Sequence, residues 1–105
     1  MAINLFTSGG SIKSVQRGVT TGYSGGSTDA GKDITISAVN PAKCIVQFDG
    51  FPLDGAGVTN TATQRPPYVT SLTSTTLSIK GGNYTQSGSS TLQARSFSWT
   101  VTEFE

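Results

Sequence analysis

Histidine is missing from the 105-residue chain altogether, and cysteine occurs once, at Cys44. Without histidine, Ser-His-Asp and Cys-His arrangements in their usual form cannot be assembled. Zinc sites of the common Cys/His type fail on ligand count. Cys44 has no second cysteine in the chain to form a disulfide with, and its setting in KCIVQF is that of a small core residue, with no imidazole to activate it. Charge is scarce as well: charged residues make up 12% of the chain, seven Lys and Arg against six Asp and Glu, for a net charge of +1. The cations Lys13, Arg17, Lys32, Lys43, Arg65, Lys80 and Arg95 are spread out, with no cluster to release counterions from phosphates. Nucleic acid is therefore not an expected partner. No apolar run approaches the length needed to cross a bilayer, so membrane insertion is not expected either. The opening residues lack the basic start and long apolar centre of a secretion signal, which points to synthesis in a cytoplasm.

What is present is small and polar. Ser and Thr fill about thirty positions and Gly thirteen, while apolar residues make up only 34%. A low net charge with nine aromatics separates this composition from that of disordered chains, and 105 residues suffice for one core. Apolar spacing at three and four residues is lacking, and period-two alternation recurs instead. SIKSVQRGVT (11–20) reads as a first strand, bent near Gly18. DITISAVN (33–40) alternates, with Ile34, Ile36 and Ala38 on one face, and ends at an Asn40-Pro41 turn. KCIVQFDGF (43–51) is the most apolar strand and is expected to be central, with Cys44, Val46 and Phe48 on one side. Gly50, Pro52, Gly55, Gly57, Pro66 and Pro67 make 49–67 a long loop or irregular edge. Residues 68–80 read as two strand pieces and 81–90 as a loop. The closing strand (91–105) sets Phe97, Trp99 and Val101 against Ser96, Ser98, Thr100 and Thr102. The expectation is an all-β protein, an antiparallel β-sandwich or small barrel of about six to eight short strands with essentially no helix. Its core would be Ile34, Ile36, Val46, Phe48, Phe97, Trp99 and Val101.

Residues 1–10 stand apart from that domain of 11–105. Ile3, Leu5 and Phe6 precede a Gly9-Gly10 hinge, and an apolar arm of this kind needs a dock. It would serve either on an adjacent subunit or as the first strand of its own sheet.

Chemistry is hard to build from the rest. Glu103 and Glu105 fall on one face at what reads as a frayed end, a poor place for an acid held at a raised pKa, whereas Asp49 and Asp54 flank a turn and could in principle work as the carboxylate pair of a glycosidase. DAGKD places Asp29 and Asp33 in a glycine-rich loop, but the EF-hand spacing is lacking and Asp beside Gly is ordinary turn chemistry. GYSGGSTDAGK lacks the Lys-Ser/Thr ending of a phosphate loop. NYT (83–85) matches a glycosylation sequon without other signs of a secretory route. No enzyme, metal or cofactor is expected. Tyr23, Phe51, Tyr68 and Tyr84 lie in or beside glycine-rich connections, where they either cover the open ends of the sandwich or stack on a sugar or protein partner.

Three stretches together, IKSVQRGV, ITISAVNPAKCIVQF and FSWTVTEF, resemble small β-rich proteins encoded among tailed-bacteriophage virion genes. In that group an Ile-Lys-Ser-Ile/Val-Gln-Arg-Gly segment precedes a Thr-Ile-Ser-Ala-Val strand and a closing Trp-x-Val-x-Glu-Phe strand. The resemblance implies a non-enzymatic structural component of the tail, neck or fibre region or of the capsid surface. It also implies assembly in the host cytoplasm with other virion proteins and with copies of itself. The alternative is a carbohydrate-binding or adhesion module that meets a cell-surface glycan through its loop tyrosines.

Overall fold

The computed structural model describes residues 11–51, 63–85 and 88–105. Among them nine strands form: β1 (Ile12–Thr21), β2 (Lys32–Thr35), β3 (Cys44–Asp49), β4 (Thr63–Arg65), β5 (Tyr68–Leu72), β6 (Thr76–Lys80), β7 (Asn83–Thr85), β8 (Gln93–Ala94) and β9 (Ser96–Phe104). The only helical piece among the described residues is a 3-10 turn at Pro41–Lys43, which Asn40 caps by accepting the Ala42 N–H at 3.1 Å. Every strand pairing is antiparallel, and the strands form three sheets ordered β1-β9-β3, β2-β6-β5 and β4-β7-β8. The all-β expectation holds. The strand count exceeds six to eight because β4, β7 and β8, of three, three and two residues, form inside segments that read as loops or as one strand.

The first two sheets enclose the core. Phe97, Trp99 and Val101 on β9 pack with Leu77 and Ile79 on β6 and with Ile36 and Val39. Ile34, Cys44, Val46, Phe48, Phe51 and Leu72 are half-buried against that cluster. Period-two alternation on β9 sends the large apolar side chains inward, and on β3 it turns Cys44, Val46 and Phe48 the same way. All seven expected core residues belong to this unit.

Two expectations fail in detail. β3 is an edge of its sheet, and β9 is the centre, pairing with β1 on one side and β3 on the other. The apolar run 43–51 owes its character to one core face and to an exposed Ile45, not to burial on both faces. The strand expected over 33–40 ends at Thr35, because its partner β6 ends there, Thr35 lying opposite Thr76. Beyond it, the N–H groups of Ile36 and Val39 donate to the carbonyls of Thr75 and Ser74 in the β5–β6 turn. The alternation is lost, so Val39 is buried and Ala38 exposed.

The third sheet joins the two layers at one end. β4 runs into β5 across Pro66-Pro67, β6 into β7 across Gly81-Gly82, and β8 into β9 across Arg95. Gly81 and Gly82 have φ of 81° and 70°, the left-handed region, and a Cβ on Gly81 would sit 2.1 Å from the Pro66 carbonyl oxygen. Only glycine allows the bend and the close approach together.

Candidate functional site

Two surfaces carry features that folding alone does not use. The first is a cleft of about 410 Å³ at the end of β3, lined by Phe48, Asp49, Gly50 and Phe51 on one wall and Pro66 and Pro67 on the other. Its aromatic wall is held from behind: Phe48 and Phe51 meet Phe97 edge to face, with ring centroids 5.6 and 6.4 Å apart. The prolines fix the opposite wall through their locked φ. Asp49 is exposed at the edge, and one of its carboxylate oxygens accepts the Gly50 N–H at 2.8 Å. Tyr68, directly after Pro67, is 54% exposed.

The four loop aromatics do not converge. Phe51 lines the cleft and Tyr68 follows its wall. Tyr84 lies on β7 beneath the Arg95 guanidinium, 4.6 Å from the ring centre. Tyr23 is half-buried, its hydroxyl close to Gly26, and its carbonyl accepts the Asn83 side-chain N–H at 3.1 Å. Ile3, Leu5 and Phe6 lie outside the described residues.

The second surface is the outer face of β1-β9-β3. Ile12, Val15, Val19 and Ile45 are 48%, 44%, 72% and 50% exposed. The register lines them up in rows: Ile12 with Phe104, then Val15, Thr102 and Ile45, then Arg17, Thr100 and Gln47, then Val19, Ser98 and Asp49. Four aliphatic side chains on one strand-paired face form a patch, not scattered exceptions.

Asp29, Asp33 and Glu103 are tied down. Asp29 joins three segments: its carboxylate accepts the N–H groups of Gly31 (2.8 Å) and Gly81 (2.9 Å) and the Asn83 side-chain amide (3.0 Å). Partial burial pushes its carboxyl up, but these hydrogen bonds and the nearby Lys80 charge outweigh burial and hold its pKa below the ordinary carboxylate value. Asp33 accepts the Ser78 hydroxyl at 2.7 Å instead. Glu103 is not at a frayed end: it is 3% exposed, accepts Asn40 N–H at 2.8 Å and Ser14 Oγ–H at 3.3 Å, and has Lys13 Nζ at 4.0 Å. Extending the 97-99-101 alternation by one step finds it. Asp54 lies outside the described residues. The Cys44 thiol donates to the Asn40 carbonyl, and burial, then the Glu103 charge, push its pKa up and away from thiolate chemistry.

Comparison of the chain with protein-family models, with curated proteins and with solved structures finds no match.

Proposed function

We propose that this chain is a non-enzymatic structural component of a tailed-phage virion, placed in the tail, neck or fibre region and assembling with copies of itself or on a larger virion protein. The observation that carries the reading is the aliphatic outer face of β1-β9-β3, which gives the chain a surface suited to association. The stretches that resemble phage virion proteins supply this sheet: IKSVQRGV forms most of β1, CIVQF most of β3 and FSWTVTEF nearly all of β9. Immunogold electron microscopy of purified particles tests it. Label is expected at a fixed site on the tail, neck or fibre; particles that lack the chain overturn it.

A second reading, a carbohydrate-binding or adhesion module, is favoured by the cleft. Aromatic and proline rings beside an exposed carboxylate suit a sugar, whose C–H face stacks while its hydroxyls donate to Asp49. On a glycan array, binding that disappears in Tyr68→Ala supports this reading, and no binding to any glycan removes it.

A further inference from the structure

The outer face of β1-β9-β3 is not only apolar; its charges are sorted. On β1 it carries Arg17, between Val15 and Val19. On β3, at the opposite margin, it carries Gln47 and Asp49, with Ile45 beside them. The central strand offers only Thr100, Thr102 and Ser98 along these three rows, short side chains that leave the middle of the face low. Among the described residues Arg17 has no hydrogen-bond or ion-pair partner, and the Asp49 carboxylate engages only the N–H of the residue after it.

We infer that this face binds a second copy of the chain, face to face, about a two-fold axis running along β9. Such an axis lays β1 of each copy over β3 of the other. Val15 then meets the partner's Ile45, and Arg17 lies over the partner's Gln47 and reaches one row along β3 to the partner's Asp49, each contact being made twice. The charge order selects this arrangement. An axis across the strands would lay β1 on β1 and β3 on β3, and Arg17 and Asp49 would lie on different pairs of strands. The same axis lays the hydroxyl-lined β9 of one copy over β9 of the other, and the two sheets pack face to face.

Size sets the strength. β1 and β9 pair over about nine residues and β3 over six, so with strands about 4.8 Å apart the face is at most roughly 30 Å by 14 Å, below the roughly 800 Å² per partner of a standard interface. The dimer is therefore reversible and concentration-dependent, with steering and register supplied by the Arg17–Asp49 pairs. This inference rests on the self-association part of the function proposed above and is independent of the virion.

The test is sedimentation equilibrium of the full chain over a wide concentration range at low salt. Wild type is expected to show a monomer–dimer equilibrium that weakens as salt is added. Arg17→Asp and Asp49→Arg are each expected to weaken dimerisation at least tenfold, and the double variant R17D/D49R to recover to within about threefold of wild type. Thermal melts report whether each variant folds. If a charge reversal abolishes cooperative melting, Arg17→Gln and Asp49→Asn replace it, with a smaller loss expected. A strict monomer, a dimer indifferent to both single changes, or a double variant without recovery overturns the inference. A monomeric chain that is still found in particles sinks the dimer and spares the virion reading; a dimer missing from particles does the reverse.

Discussion

A Cβ placed on Gly18 would come within 2.6 Å of the Trp99 indole, its cross-strand partner on β9. β1 runs unbroken through Gly18, its register shift falling between Ile12 and Ser14 instead, and the glycine makes room for the largest side chain of the core. Trp99→Ala removes the indole from a buried site and is expected to cost about 3–5 kcal/mol, a large part of a small domain's stability. Gly18→Ala is expected to cost about 1–3 kcal/mol by overpacking. In a Trp99→Leu background that second cost should largely vanish, a coupling that urea denaturation of the four proteins measures directly. Wild-type tryptophan emission is expected to be blue-shifted and poorly quenched by iodide. Asp29 makes a complementary case. Asp29→Ala strands the N–H of the buried Gly81 and leaves the amide of the fully buried Asn83 with only its bond to the Tyr23 carbonyl, at a cost of about 1–3 kcal/mol. Because the folded-state pKa lies below that of the unfolded chain, the stabilisation by Asp29 is fully present above the unfolded value. It falls away as pH drops through the folded one. Melting temperatures followed down from pH 5 should therefore fall less steeply in the variant than in wild type.

Among the strands, β9 holds the fold together. It pairs on both sides, supplies three of the buried core residues and brings Glu103 under the Asn40 turn. β1 is fastened to the opposite layer by the Gln16 side chain, which donates to the Ser37 carbonyl at 2.9 Å and accepts the Ser37 N–H at 2.8 Å. β4, β7 and β8 pair over only two or three residues each. Native-state hydrogen exchange should rank these elements: the amides of Phe97–Val101 are expected to exchange last, and those of β8 well before them. Equal protection across β8 and β9 would show that the short sheet opens only with the rest. The strand ends show where linear reading failed. Alternation identifies the faces of β3 and β9 correctly, but it says nothing about partners, and the strand expected over 33–40 stops at Thr35 because its length is set by where β6 stops.

The assembled domain presents a covered interior, a cleft at one end and an aliphatic sheet face. The apolar segment with Ile3, Leu5 and Phe6 precedes β1 in the chain and adds three large side chains that could each contribute about 1.5–3 kcal/mol when buried. Ordering the arm offsets part of that. Deletion of residues 1–8 is expected to leave the circular dichroism spectrum unchanged and to weaken association in light scattering or incorporation into particles. Loss of the β spectrum would make the segment an integral strand of the fold.

Composition and alternation were enough to establish an all-β protein, its inward-facing residues on β9 and β3, and the lack of the residues that histidine-dependent catalysis requires. Those features are local: each follows from which side chains a strand can carry and on which side they fall. The place of β9 at the centre, the burial of Glu103, the cleft between Phe51 and Pro66, and the sorted charges of Arg17 and Asp49 across one face are of another kind. Each joins residues far apart in the chain, and antiparallel pairing admits many partners and registers that satisfy the same alternation. The choice among them was made by how the buried side chains fit together across the two layers.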